Sequence, residues 1–367
     1  MKHFEYADEK ISEKEILIVI PSTLIGIGIL SLPAELAGYT TAADGWVAIA
    51  VSGILIIFVV WLISKVAASF PNQEFITYAS ALVTKPVATV LTILFSLEGV
   101  FICTYVVRVI SDIAEEYLFD RTPVEVIGLA FLLTVVYAVS GSRAGLFRLN
   151  MMFLPIISFI MFLVTVFSFG LFEMDNFFPV LKTDMSGYVQ GIRASTLSYI
   201  GFYILFFYIA LVRKPEKTPK MAVLGMGMTV LIYLITFVIS IGVFGNITAS
   251  NLIFPVIEIA KEVEVPGGFF ERFDSIFFVI WIMAIFNTMC MAFDVTVFSL
   301  KSVFPVRKIK LIFILAPIIF FLSMFPASYH EVEQFGSFIS TYGVILVLTT
   351  VILLTVALKI KGVKKRG

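Results

Sequence analysis

The sequence predicts an all-α integral membrane protein with about ten transmembrane helices. Of its 367 residues, 60% are hydrophobic and only 14% are charged, and the mean hydropathy is +1.03. About a quarter of the residues in a soluble domain are charged. Apolar runs of the roughly 20 residues that cross a bilayer fill most of the chain. Lipid offers the backbone no hydrogen bonds, so these runs must be helical, and they lack the alternation of a membrane β-strand.

Ten apolar segments are predicted to span the membrane, with two connecting segments that do not. The segment 72–84 joins spans 2 and 3, and the segment 247–268 is predicted to contain a short amphipathic helix at the membrane surface. The predicted spans are 14–37, 45–69, 86–111, 123–140, 149–172, 192–212, 218–245, 271–300, 310–326 and 335–358.

The distribution of basic residues predicts that both termini lie on the cytoplasmic side. With that orientation the inner segments carry twenty Lys and Arg residues and the outer segments carry five, as the positive-inside rule requires. Residues 1–13 are then a cytoplasmic segment, residues 14–358 the transmembrane domain, and residues 359–367 a basic cytoplasmic tail. A basic tail is also attracted to anionic membrane lipid.

Span 1 contains a sequence that is unfavourable for a continuous helix. Gly26, Ile27 and Gly28 lie between Pro21 and Pro33. Glycine leaves the backbone unrestricted and proline removes a hydrogen-bond donor, so an interruption is expected here. The alternative is that the two glycines only allow close packing of neighbouring helices.

Span 6 is also polar and contains glycine near its middle, at Ser198, Tyr199, Gly201 and Phe202. Spans 1 and 6 hold the same place in two sets of five, about 14–172 and about 192–358. Because five is odd, the two sets have opposite topology and form a 5+5 inverted repeat. Interrupted helices at matching places in such repeats predict a substrate site at the membrane midplane.

The chemistry of such a site suits an amino acid. Unwinding leaves N–H groups, which are partly positive, at the start of one half-helix and C=O groups at the end of the other. The N–H groups can hold a carboxylate, and the C=O groups suit an ammonium group or another cation. An α-amino acid carries both.

Ionisable residues within the spans are candidates for function, because their burial in lipid is costly. Glu98, near the middle of span 3, is predicted either to hold an amine or a proton at the central site, or to be a protonated, hydrogen-bonded carboxyl in the bundle core. Arg108 lies about 15 Å further along the same helix, toward the outer face. It is predicted to pair with an acid there.

Three further residues are expected in span 8. Asp294 is predicted either to serve an inner gate or to form a plain salt bridge with a basic residue of an inner loop. Asn287 and Thr288 are predicted to reach the central pocket, with ordinary interhelical hydrogen bonds as the alternative.

No sequence feature indicates an enzyme or a cofactor. There is no Walker loop, and Gly26-Ile27-Gly28 is not a dinucleotide motif because no β-strand precedes it. The two histidines have no metal-ligand neighbours at useful spacing, and Cys103 and Cys290 both lie in apolar runs. A disulfide framework is therefore not expected.

Several stretches resemble the GerAB-type B subunits of spore germinant receptors, within the amino acid–polyamine–organocation transporter superfamily. They are residues 24–33, with the pattern Gly-x-Gly followed by Leu-Pro; 44–46, Asp-Gly-Trp; 121–123, Arg-Thr-Pro; and 268–275, with the pattern Glu-Arg-Phe. The first pattern is shared with many permeases, whereas the last is more specific to the germination family.

This resemblance implies a LeuT-like fold in the spore inner membrane and a nutrient germinant, commonly an amino acid, as ligand. It implies two partners: an A subunit thought to form an ion channel, and a C subunit lipoprotein. The pocket would involve Gly26, Ile27 and Gly28, the segment 198–202, Glu98, and Asn287 with Thr288. Glu98 falls where an L-alanine-responsive relative has tyrosine, which favours a ligand with extra positive charge or hydroxyls.

Two functions share this pocket, and the sequence does not separate them. The first is a receptor subunit, in which ligand binding shifts a conformational equilibrium that a partner reads. The second is a permease that moves an amino acid with a proton, for which Glu98 is suited. Sodium coupling has less support, because span 8 shows no clear pair of hydroxyl ligands opposite span 1.

Overall fold

The computed structural model describes residues 10–263 and 273–361, and this part of the chain is helical without a β-strand. An isolated bridge joins Ile11 to Val212. The helices are α1 (Glu13–Tyr39), α2 (Gly45–Ala68), α3 (Phe75–Leu82), α4 (Lys85–Tyr117), α5 (Val124–Ser140), α6 (Arg143–Ser168), α7 (Met185–Ser198), α8 (Leu205–Tyr208), α9 (Thr218–Asn251), α10 (Pro255–Glu262), α11 (Phe273–Val303), α12 (Lys308–Ser323) and α13 (Tyr329–Lys361).

Each of the ten predicted spans falls on a helix or a pair of helices. Within the described residues, six helices are long and apolar enough to cross a membrane, and two bent helix pairs raise this number to eight. The remaining two predicted spans correspond to α5 and α12, which have 17 and 16 residues. These are at the short end of what a bilayer requires.

Several helices extend beyond the apolar segments from which they were predicted. The helix α4 continues to Tyr117, six residues past the predicted end of span 3, and α13 begins at Tyr329 rather than at residue 335. The added turns carry charged residues such as Glu116 and Glu333. Hydropathy marks only the part of a helix that lies in hydrocarbon, so it does not reveal helical turns that project beyond it.

The helix α1 is bent near its centre. Its halves, Glu13–Gly26 and Gly28–Tyr39, are inclined by 57°. A capping box formed by Ser12 and Glu15 starts the first half, which satisfies N–H groups that have no partner within the helix. The predicted interruption of span 1 is therefore present as a sharp bend.

Span 6 is also bent. The helix α7 and the following segment Phe202–Leu211 are inclined by 49°. Gly201, at the junction, has a φ angle of +130°, which a residue with a side chain rarely adopts. The second half is made of α8 with a 3₁₀ turn on each side.

The bent helix α1 lies at the centre of the bundle. It packs most extensively against α9 and also against α6, α7 and α11, while α4 packs against α11 and α13. Both connecting segments contain the short helices expected, α3 within 72–84 and α10 within 247–268. Residues 264–268, and the predicted Glu-Arg of 268–275, lie outside the described residues.

Asp44, which is buried between α1 and α2, connects the turn between these helices to the segment that leads into α7. Its carboxylate accepts hydrogen bonds from the backbone N–H groups of Leu181, Lys182 and Thr183, at 2.6, 2.8 and 2.9 Å. The hydroxyl groups of Thr183 and Tyr188 also donate to it. Burial alone raises the pKa of Asp44, but these hydrogen bonds outweigh it and lower the pKa below its ordinary value.

Candidate functional site

A cavity of about 1010 Å³ extends from the two helix bends to one end of the bundle, which is formed by α1, α4 and α13 and is predicted to be the outer end. At the bends it is lined by Thr23, Gly28, Ser198 and Gly201. The volume exceeds that of a single amino acid, and cavities of this size are typical of small-molecule sites.

Some of the predicted site residues line this cavity and others lie behind its wall. Gly28, Ser198, Gly201 and Thr288 line it. The residues Gly26, Glu98, Tyr199, Phe202 and Asn287 are not among the lining residues. The side chain of Ile27 lies outside the described part of the structure.

The backbone carbonyls at the bend of α1 are hydrogen-bonded by side chains from α9 and α11. Tyr233 Oη donates to Leu24 O, Trp281 Nε1 donates to Gly26 O, and Thr288 Oγ1 donates to Thr23 O, each at 2.8 Å. These bonds link the backbone of α1 at its bend to α9 and α11. Lipid and an apolar core provide no substitute.

Tyr233 also contacts the second bend. Its hydroxyl lies 3.1 Å from Ser198 O, the last residue of α7. Its ring stacks on Tyr199 with the centroids 5.0 Å apart. One buried side chain of α9 therefore contacts both interrupted spans.

The glycines of span 1 allow close approach of other helices. A Cβ atom on Gly28 would lie 2.7 Å from Tyr233 Oη and 2.8 Å from Ser198 O, and a Cβ atom on Gly26 would overlap Thr288 Oγ1. Gly26 therefore has the packing role that the sequence left as an alternative. Gly28 both packs closely and lines the cavity.

Asn287 contributes to the interface between α1 and α11. Its Nδ2 donates to Ser22 Oγ at 2.8 Å. Asn287 and Ser22 are each 1% exposed, so this is an interhelical hydrogen bond inside the bundle.

Glu98 is fully buried, and neither of its carboxylate oxygens has a hydrogen-bond partner among the described residues. Its Oε1 packs against the backbone of Gly343 in α13, close to Ile200. The hydroxyl of Tyr203, a residue that lines the cavity, also has no partner in the described part of the chain. Glu98 is thus one residue layer behind the cavity wall.

Asp294 is the centre of a buried ion cluster at the inner end of the bundle. Its Oδ2 lies 2.7 Å from Arg143 Nε and accepts a hydrogen bond from Tyr208 Oη at 3.0 Å. Lys308 Nζ lies 3.5 Å from Oδ1. The guanidinium of Arg143 also lies over the Phe298 ring. The cluster joins α6, α8, α11 and α12. The ion pair between Asp294 and Arg143 is the plain salt bridge that was one of the two alternatives for Asp294.

The inner end is also closed by the segment that precedes α1. Ile11 N donates to Leu211 O at 3.1 Å, and Arg213 N donates to Ile11 O at 2.9 Å. These bonds attach the start of span 1 to the end of span 6. Spans 1 and 6 are therefore held together at the end of the bundle that is predicted to be the inner one, while the cavity extends to the opposite end.

The outer part of the cavity is acidic. Its lining includes four acidic residues and one basic residue, namely Glu35, Asp112, Glu116, Glu333 and Arg193. Arg108 pairs with Asp112 at 3.0 Å along α4, which matches the expectation that it pairs with an acid near the outer mouth. Such a field raises the local concentration of cations.

Four residues at or near the site were not predicted from the sequence: Tyr233, Trp281, Tyr203 and Glu35. An aromatic residue with a polar tip in an apolar span is a weak signal, because it is usually part of the core. Glu35 lies inside predicted span 1 and was detectable as an intramembrane acid. Within the described residues, no group of three or more His, Cys, Asp or Glu side chains could hold a metal ion.

Two bent spans at matching positions face one cavity, an arrangement that occurs in the inverted-repeat folds of membrane proteins. The solved structure of MhsT in complex with L-phenylalanine has the same LeuT fold, with a TM-score of 0.75 over 95% of this chain and 89% of that one. The sequences are 14% identical, so this similarity establishes the fold alone.

The family follows from sequence comparison. A profile described as spore germination protein matches residues 10–332, and the chain belongs to this family. Spore germination protein GerLB of Bacillus cereus is 38% identical over 98% of this chain and 97% of its own length. Spore germination proteins YndE and A2 of Bacillus subtilis strain 168 are 28% and 25% identical, and each alignment covers at least 93% of both chains. The protein is therefore a multi-pass membrane protein of the spore germination family.

Proposed function

We propose that this chain is the nutrient-sensing subunit of a spore germinant receptor. It binds a small nutrient, an amino acid, between the bends of spans 1 and 6 and signals to a partner channel subunit. The observation that carries this proposal is the cavity of about 1010 Å³, which reaches both bends from the outer side. The family relationship supports the role in germination.

The geometry at the bends supports an amino-acid ligand. The half-helix Gly28–Tyr39 begins at the cavity floor, where its first N–H groups suit a carboxylate. The polar side chains of Ser198 and Thr288 line the same region. MhsT, which shares the fold, was solved with L-phenylalanine bound.

The proposed signal is a shift between two conformations. The Asp294 cluster and the Ile11–Val212 bridge hold the inner ends together, while the cavity reaches the outer side. A ligand that stabilises or opens this arrangement changes the population that a partner detects, by no more than its difference in affinity for the two states. The A and C subunits of the receptor are the proposed partners, in the spore inner membrane with both termini of this chain inside.

A proton-coupled amino-acid permease is the second candidate, and one observation favours it. The Glu98 carboxylate is buried without a hydrogen-bond partner among the described residues, and a buried charge without a partner is unfavourable. A carboxyl group in this position is suited to binding and releasing a proton.

The deciding experiment is germination of spores that lack this gene, followed by optical density across a panel of amino acids and sugars. Loss of the response to one nutrient, restored by the wild-type gene, supports the receptor role and names the ligand. Normal germination with every nutrient contradicts that role. Uptake of labelled amino acids into proteoliposomes then tests the permease.

A further inference from the structure

At the bend of α1, backbone carbonyls contact side chains of α9 and α11. In many transporters built from inverted repeats, such carbonyls coordinate a coupling cation such as sodium. The bend of α1 therefore raises the question of what satisfies its carbonyls here.

Within the described residues, three backbone carbonyls near the bend accept hydrogen bonds from side chains of the protein. Side-chain donors lie 2.8 Å from Thr23 O, Leu24 O and Gly26 O. The single hydroxyl hydrogens of Thr288 and Tyr233 each have a second carbonyl in reach, Ala284 O at 3.2 Å and Ser198 O at 3.1 Å. We call the donors, Tyr233, Trp281 and Thr288, the donor clasp. Tyr233 and Trp281 are 1% and 2% exposed, so neither hydrogen bond competes with bulk water.

We propose that the donor clasp takes the place of a bound cation at the bend of α1, and that Tyr233 is the positioning residue that links this bend to the one in span 6. The bend is then a permanent feature of the protein, independent of sodium. The inference draws its relevance to signalling from the proposed function.

A donor hydrogen on a carbonyl oxygen disfavours a cation beside it by charge repulsion, although the second lone pair of that oxygen stays open. An indole N–H is a donor only, so Trp281 presents a positive hydrogen where a cation at Gly26 O would lie. The same holds for the hydroxyl hydrogen directed from Tyr233 to Leu24 O. A Cβ on Gly26 would overlap Thr288 Oγ1, which shows how closely α11 approaches this backbone.

Tyr233 connects the two bends because its hydroxyl lies within hydrogen-bond distance of Leu24 O and Ser198 O, at 2.8 and 3.1 Å. A movement of either bent span changes one of these distances. Tyr233 lies in α9, which packs along α1. A ligand that displaces either bend therefore changes the contacts of this one side chain.

Hydrogen–deuterium exchange tests the proposal without any ligand. The full-length protein is reconstituted in lipid nanodiscs, and exchange is followed in peptides covering residues 20–33 and 197–205, in sodium chloride and in choline chloride. The wild type is expected to exchange equally in both salts. Tyr233→Phe is expected to exchange about fivefold faster or more at both bends, because a lost hydrogen bond lowers local stability by about 1 kcal/mol.

Tyr137→Phe is the matched control, because Tyr137 is 84% exposed and its hydroxyl has no described hydrogen-bond partner. Exchange at both bends in this variant should equal that of the wild type. Trp281→Phe keeps an aromatic ring and should accelerate exchange at residues 20–33 more than at 197–205. This variant carries the test if Tyr233→Phe does not give folded protein.

Two results would overturn the proposal. The first is slower exchange of the wild-type bend in sodium than in choline, which indicates a cation site. The second is unchanged exchange in both clasp variants. If the clasp results hold but deletion of the gene leaves germination normal, the proposed function fails while this inference stands.

Discussion

Gly28 and Ser198 bring the two bent spans into backbone contact: a Cβ atom on Gly28 would lie 2.8 Å from the carbonyl oxygen of Ser198. Tyr233 Oη would lie 2.7 Å from the same Cβ atom. Only glycine permits this approach, because real Cβ atoms are not found so close to backbone atoms. The distance between the bends is therefore set by the absence of a side chain at one position.

We expect Gly28→Ala to separate the bends and to impair ligand response. Overpacking of this kind costs about 1–3 kcal/mol, which raises the nutrient concentration for half-maximal germination about fivefold or more. The measurement is the dose–response curve of spores that carry the variant, with receptor abundance checked by immunoblot.

Gly227→Ala is the matched control, because Gly227 lies in α9 with nothing within 4 Å of an added Cβ atom. Its dose–response curve should coincide with the wild type. A Gly28→Ala curve that also coincides with the wild type would remove this contact from the signalling mechanism.

The Asp294 cluster predicts a second effect. Asp294→Asn removes the carboxylate charge that lies 2.7 Å from Arg143 Nε, and Arg143 is 6% exposed. Removing one partner of a buried ion pair costs about 3–5 kcal/mol. The inner end should therefore open more readily, and spores should germinate at a higher rate without nutrient, or the protein should accumulate less.

A double-mutant cycle separates the ion pair from general destabilisation. Combining Asp294→Asn with Arg143→Gln should cost less than the sum of the two single changes, because the residues are coupled. Thermal unfolding of the purified variants measures this directly. Additive losses would show that Asp294 and Arg143 contribute independently.

The spans and the two interruptions could be predicted from the sequence because bilayer thickness and backbone hydrogen bonding restrict what a membrane chain can form. Pro21, Gly26, Gly28 and Pro33 also act locally, on the backbone that carries them. Features of this kind need no knowledge of neighbouring helices.

The contacts of the site depend on helix rotation, which the sequence of an almost wholly apolar helix does not reveal. Glu98 was predicted to face the central site or to lie in the core, and the structure places it against Gly343, one layer behind the cavity wall. Tyr233 and Trp281 meet the carbonyls of α1 only through tertiary packing. Their roles could not be derived from their position in the chain.

Glu98 gives a third prediction. Glu98→Gln changes little in shape, and no hydrogen bond to the carboxylate is lost among the described residues, so the protein should accumulate normally. The variant cannot exchange a proton. We expect a weaker response to the cognate nutrient. The wild-type dose–response curve should shift between pH 5 and pH 8 as expected for about one ionisable group, and the curve of the variant should not.

Glu115→Gln, an exposed position on the same helix, is the control for the loss of one carboxylate and should behave as the wild type. An unchanged concentration and pH dependence in Glu98→Gln would exclude Glu98 from ligand response. It would then be a carboxyl of the bundle core only.

Asp44 predicts how acid affects the outer end of the fold. Its carboxylate accepts hydrogen bonds from three consecutive backbone N–H groups, Leu181 to Thr183, and its pKa is lowered in the folded protein. The stabilisation is therefore complete above the unfolded-state pKa of about 3.9 and is lost as the pH falls through the lower folded-state value. Asp44→Asn should lower the free energy of unfolding by about 1.5–3 kcal/mol at pH 7, the range for hydrogen bonds to a charged group.

The pH dependence distinguishes this effect from a simple loss of packing. In thermal unfolding in detergent at pH 7, Asp44→Asn should be less stable than the wild type. This difference in stability should shrink below about pH 4, because the wild-type carboxylate then becomes protonated. Asp120→Asn, at an exposed loop position, should unfold as the wild type does at every pH. A loss of stability in Asp44→Asn that stays constant across this pH range would mean that the charge of Asp44 is not what holds the segment Leu181–Thr183 in place.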